Sequence, residues 1–507
     1  LPALSWRVFA LFGIIYLYAF PYFDFLKNAN EVPRIFTTQE MVDQGNLFID
    51  RRLPEMMSRQ DLSRGPNGHF YQNKAPALTF LAVPVYGVLK TLGLTSLRAS
   101  TFAFRVFVIT LPALLFLPVF YRLAGRFTAE EAGRRTALVA LALASPSVVY
   151  AKLFVGHNLA AVLAGTCFFL CVKLARETVA RPRLTAWAAG FAAAATVAVD
   201  YHAIFAVLPI AVYFLLRVPR SFARLPFALL GAAPPAVFLA WYHARCFGSP
   251  WKTGYSAAPV DTSSTEGVMG IVGFSREAIN AVLFTPSNGL LVLVPWTLLA
   301  FVGFVLIVAS ASWRRRAGAE AGVCLAIVMT YLLVMCALTP YMARGGWSVG
   351  PRYLTPALPF LAWLAAATFG RLDRHLVPRV ITHGVVMASV IIFIAAAQSY
   401  PHWPDQLRNP LFELVFPLFR QGYAANSLGT LLGLRGLVSI FPVLLLALLL
   451  TGYLLCARDL RRWAGFVVSC ALAVTIVVGH RSFPASGPYA QRAWTYITDL
   501  WEPRRER

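Results

Sequence analysis

In the 507-residue chain, two short stretches set ionisable side chains where an apolar run meets a polar loop. Asn28-Ala-Asn30-Glu31-Val-Pro-Arg34 follows the first apolar run, and Tyr71-Gln-Asn-Lys74-Ala-Pro76 opens onto a short apolar segment. A carboxylate at such a boundary is suited to take a proton from an attacking hydroxyl. A lysine or arginine stabilises an oxygen on which negative charge develops. Glu31 is the expected base, with Asp24 and Asp43 of the same segment as alternatives, and Lys74 is the expected cation, joined by Arg352, Arg344 and Arg34. The competing reading is structural: acids and lysines at a boundary also serve as solvated helix ends, and Arg352 as a snorkelling anchor.

A second group, His157, Asp200, Tyr201, His202 and His243, falls at predicted outer ends of apolar runs. Its spacing matches no compact metal motif, so acceptor binding or ordinary polar contacts are expected, with no cofactor required and no support for a divalent metal. Asp200-Tyr201-His202 interrupts two apolar runs where a plain turn suffices. Tyr255 and Trp251 suit stacking on a flat ligand face or an aromatic interfacial belt.

The elements that position these residues are membrane spans. Hydrophobic residues make up 58% of the chain and charged residues 13%, with a mean hydropathy of +0.63, far too apolar for a domain that must cover itself with charge. Thirteen apolar runs, at roughly 6–23, 103–121, 136–150, 158–175, 184–199, 203–216, 224–242, 289–311, 319–338, 353–370, 380–398, 436–456 and 464–480, are near the length that crosses a bilayer. Each must be helix, because lipid offers no partner to a free amide. No small-residue cleavage pattern follows the first run, which is read as a retained span. The seven scattered cysteines form no disulfide framework or CxxC site.

Orientation follows from the basic loops. With Arg7, six alternate loops around residues 122–135, 173–183, 217–224, 314–316, 371–379 and 458–462 hold 21 of the 45 basic residues but only 6 of the 22 acids. The net charge of +23 is therefore a topology signal, and nucleic-acid binding is excluded. The scheme gives one all-α polytopic domain over 1–507, with a cytoplasmic N-terminus and an extracytoplasmic C-terminus. External segments are expected at 24–102, 243–288 and 399–435, with an interfacial tail at 481–507 that carries Trp494, Tyr496 and Trp501. The run 75–89 is short, contains Pro76 and Pro84, and inverts every later loop if counted as a crossing. It is expected to lie against the outer leaflet, while the 24–102 loop starts with a short helix whose apolar side is Ile35, Phe36 and Met41-Val42, closed by Gly45.

The motifs in this loop resemble the GT-C superfamily of membrane glycosyltransferases, with lipid A aminoarabinose transferases and protein O-mannosyltransferases as the closest analogues. Asn30-Glu31 matches an acidic pair, Arg34 a basic position, Met41 and Gly45 the helix end, and Asn73-Lys74-Ala-Pro76 a lysine motif. Gly350-Pro-Arg-Tyr-Leu-Thr-Pro-Ala-Leu-Pro359 is similar to a later family stretch, and Phe284-Thr-Pro-Ser-Asn-Gly more loosely so. One departure matters: Asn30 replaces the first acid of the pair, so the base role passes to Glu31, Asp24 or Asp43.

The resemblance implies a bacterial inner-membrane enzyme that moves a sugar from a polyprenyl-phosphate donor to a glycan, lipid or protein acceptor on the outer side. Direct displacement inverts the anomeric centre, with the phosphate held by Lys74, Arg352, Arg344 and Arg34. Asn30, His157, Asp200, Tyr201, His202 and Tyr255 are then expected to hold sugar or acceptor. A flippase or transporter is the alternative from another class; it calls for ionisable residues deep in spans, of which the runs are nearly free. An O-antigen polymerase or ligase calls for a large late loop, where 399–435 is modest and holds only Asp405 and Glu413.

Overall fold

A computed structural model describes residues 4–20, 28–56, 58–257, 259–260, 265–267, 270–456, 459–495 and 497. Asp24, Tyr496 and Trp501 lie outside the described residues. Each of the thirteen apolar runs folds mainly as helix. Seven helices are long and apolar enough to cross a membrane: Leu97–Phe127, Gly156–Arg176, Ser221–Phe247, Ala311–Cys336, Arg352–Leu372, Leu376–Gln398 and Leu460–Ser482. Shorter apolar helices are Trp6–Tyr18, Ala77–Thr91, Tyr201–Arg217, Pro295–Ala309 and Phe441–Cys456. Two runs are broken where a proline removes a donor and disfavours helix before it: at Leu143–Pro146 and at Val294–Pro295.

Contacts among five of the six arginine-rich loops gather them at one end of the bundle. Arg122 pairs with Glu177 at 3.1 Å, Arg126 donates to the Arg316 carbonyl at 2.8 Å, Arg374 reaches Glu130 at 2.6 Å, and Arg462 reaches Asp373 at 2.9 Å. The 21-residue Gly156–Arg176 helix, roughly 32 Å long at 1.5 Å per residue, carries His157 to the opposite end.

The first loop is folded at that opposite end. Helix Val32–Gln44 stops at Gly45, whose φ of 70° is the left-handed cap that glycine adopts most readily. Its burial differs from the amphipathic expectation. Every residue from Val32 to Glu40 is buried, polar side included, because Thr38 bonds to the Thr79 carbonyl and Gln39 to Ser100. A hairpin pairs Leu62–Arg64 with Phe70–Gln72 and leads into Lys74. Helix Ala77–Thr91 starts with Phe80 against Phe238 and Tyr242, and finishes with Tyr86 on Phe104 and Lys90 paired with Asp43 at 2.8 Å. Leu81 and Val88 on its outer side are exposed.

Candidate functional site

Side chains from six chain regions meet in a cavity of about 320 Å³ counted to its open mouth. Asn30, Arg34, Lys74, His157, Asp200, Tyr201, His202 and Tyr255, all singled out from sequence, line it together with Tyr353.

Arg34 enters from the first-loop helix. Its Nη1 donates to the Asn30 carbonyl at 2.6 Å and to the Asn30 side-chain oxygen, while its buried Nε has no partner among the described residues. Lys74 enters from the end of the hairpin, where the Asn73 amide donates to the Asp61 carbonyl at 3.1 Å. Its Nζ lies 3.0 Å from Asp61 Oδ1 and 4.6 Å from the Tyr255 ring centre. Burial works to lower the lysine pKa, but the Asp61 carboxylate outweighs it and holds Lys74 above the usual lysine value, so the cation persists.

Asp200 ends the Pro182–Val199 helix and accepts from the His202 amide at 3.3 Å. His157 Nδ1 approaches its other oxygen to 2.6 Å. Burial alone raises an acid, yet the flanking imidazoles of His157 and His202 outweigh it and hold Asp200 well below the ordinary carboxylate range. Gly156 makes this pairing possible: a Cβ there meets the Val199 carbonyl oxygen at 2.5 Å, so only glycine lets the first turn of the Gly156–Arg176 helix come so close. Tyr201 lies 2.8 Å from His243 Nε2, and His243 Nδ1 lies 3.2 Å from the Pro250 carbonyl, which fixes the proton on Nδ1 and makes the tyrosine the donor.

Tyr353 closes the far wall. Its hydroxyl accepts from Arg352 Nη2 at 2.7 Å, and its ring packs 5.4 Å from His157 and 5.6 Å from His202. Arg352 therefore reaches the cavity through Tyr353, with its own Nε unpartnered among the described residues.

Three expected site residues stand elsewhere. Glu31, the expected base, is fully buried and does not line the cavity. Arg105 Nε and Nη2 grip both of its oxygens at 2.8 Å, and the Phe154 amide donates at 2.6 Å. Burial alone raises it, but Arg105 holds the carboxyl below its usual value; it stays ionised, with both oxygens held by Arg105 and the Phe154 amide away from the cavity lining. His402, 3.7 Å away, is pushed down to about 4 by burial against the pull of Glu31 and is neutral at ordinary pH. Asp43 is committed to Lys90 and Tyr86 near the end of its helix, and Arg344 is exposed. No group of three His, Cys, Asp or Glu side chains among the described residues is arranged to hold a metal ion.

Sequence reasoning missed Arg105, Asp61 and Tyr353. Tyr353 stands in the quoted Gly350-Pro-Arg-Tyr stretch and so had a signal. Arg105 had one too, the lone charge of the apolar run 103–121, where a π-helical turn at Arg105–Thr110 carries it toward Glu31.

Neither a family model nor a curated protein matches the sequence. The fold is similar to that of ArnT from Cupriavidus metallidurans bound to undecaprenyl phosphate, with a TM-score of 0.51 and 14% identity over 97% of this chain and 78% of that one. The same protein in the apo state aligns with a TM-score of 0.48 and 14% identity over 94% and 75%. An archaeal oligosaccharyltransferase, AglB from Archaeoglobus fulgidus in complex with an inhibitory peptide and a dolichol-phosphate, aligns with a TM-score of 0.45 and 13% identity over 82% and 58%. At 14% identity this likeness to ArnT is one of fold.

Proposed function

We propose that the chain is a glycosyltransferase of thirteen membrane crossings that takes a sugar from a polyprenyl-phosphate donor and delivers it, with inversion, to an extracytoplasmic acceptor. The N-terminus then lies in the cytoplasm, the Arg-rich end faces inward, and the Ala77–Thr91 helix rests on the outer leaflet of a bacterial inner membrane with Leu81 and Val88 in lipid. One observation carries the reading: two basic side chains, Arg34 and Lys74, share a cavity with the Asp200 and His157 pair and three tyrosines. As the bond between anomeric carbon and phosphate breaks, negative charge grows on the leaving oxygen, and fixed cations stabilise that state more than the ground state. The tyrosine rings give a sugar faces to stack on.

The test is transfer of label from synthetic undecaprenyl phosphate sugars, offered as a panel, to a membrane extract. The parent is expected to transfer from at least one donor. Gly156→Ala is expected to lose about 10²-fold in rate, since a shift of about 1 Å in the His157 turn is enough for that. Full activity in Gly156→Ala excludes the His157 and Asp200 pair from the reaction.

A further inference from the structure

We infer that His157, oriented by Asp200, is the group that takes the proton from the acceptor hydroxyl, an assignment that rests on the glycosyl-transfer reading and names its base. Asp200 is ionised and 2.6 Å from His157 Nδ1, so it accepts and Nδ1 carries the ring proton. That leaves Nε2 with the lone pair. Nε2 has no partner among the described residues, although His157 is only 7% exposed and lines the cavity. Leaving such an atom unpaired is costly unless a ligand completes it.

The rival proton acceptors are weaker in place or chemistry. Glu31 does not line the cavity and is held by Arg105 and the Phe154 amide, and the amide of Asn30 is not basic. His202 Nδ1 stands 3.5 Å from Asp200, too far for the carboxylate to fix its tautomer.

As the acceptor oxygen bonds to the anomeric carbon, the bond to phosphate breaks and its electron pair goes to the phosphate oxygen beside Arg34 and Lys74. The hydroxyl proton moves to His157 Nε2, giving an imidazolium paired with Asp200, and is released to water after the product leaves. The charged and titratable groups facing the ring are Asp200 and His202, Arg352 and Tyr353, and Tyr150. Transfer is therefore expected to fall on the acid side as the imidazole protonates.

The experiment compares the parent with His157→Gln, Asp200→Asn and the double variant in the label-transfer assay, with binding of undecaprenyl phosphate measured for each. Asparagine at 200 donates to Nδ1 and moves the ring proton to Nε2, so both single variants are expected to lose about 10²–10⁴-fold in rate. The double variant is expected to be no worse than either, because the two act as a unit. Undecaprenyl phosphate binding is expected to persist, and the acid limb to vanish from the residual rate of His157→Gln. A His157→Gln protein that transfers at the parental rate overturns the assignment. So does one that has lost binding while Asp200→Asn stays active, or a larger loss in His202→Gln than in His157→Gln. A parent that transfers from no donor overturns the glycosyl-transfer reading itself, and the base with it.

Discussion

Lys74→Ala is expected to bind undecaprenyl phosphate at least tenfold more weakly and to lose about 10²–10³-fold in transfer rate. The loss has two sources. The leaving phosphate loses a fixed cation, and Asp61 is left as an unpaired carboxylate beside the site, which repels the same phosphate. Lys74→Arg restores charge but not shape, since a planar guanidinium replaces a compact ammonium under the Tyr255 ring, and only partial recovery is expected. Because Asp61 holds Lys74 above the ordinary lysine value of about 10.4, the charge stays in place as pH rises, and affinity is expected to be flat from neutral pH to about 10. A fall in affinity centred near pH 8 contradicts this.

Glu31→Ala is expected to damage the fold rather than the chemistry. It leaves the Arg105 guanidinium without its bidentate partner and the Phe154 amide without an acceptor, at a cost of about 3–5 kcal/mol. The measurement is thermal unfolding in detergent at several pH values. Glu31 has a depressed folded pKa, so its contribution is complete above the unfolded value of about 4.3 and is lost as pH falls through the folded value. The gap between the parent and Glu31→Gln is therefore expected to be widest at neutral pH and to close in acid. A Glu31→Gln protein with parental stability but no transfer returns the base role to Glu31.

These two residues show how far the sequence carried. Apolar run lengths and arginine loops were enough for the helices and for the common end of the basic loops, because in lipid both follow from composition. Lys74 and Arg34 were readable from the motifs of the first loop, and Asp200 and His157 as polar residues at the ends of apolar runs, and they converge. The partner of Glu31 was not readable, because an acid at a boundary has the same appearance whether it faces a substrate or an arginine, and Arg105 is 74 residues away in sequence. The hairpin beside Lys74 had a local signal, Gly65-Pro-Asn-Gly68, between two strands of three residues each. Its consequence, the pairing of Asp61 with Lys74, follows from the hairpin register, Leu62 opposite Gln72, which that signal does not fix.

The most direct measurement is a cryo-EM structure of the protein in nanodiscs loaded with undecaprenyl phosphate. The account predicts phosphate density within about 3–4 Å of both Lys74 Nζ and Arg34, with the polyprenyl chain leaving along the Ala77–Thr91 helix. Phosphate density at another site, with the Arg34 and Lys74 cavity empty, contradicts it.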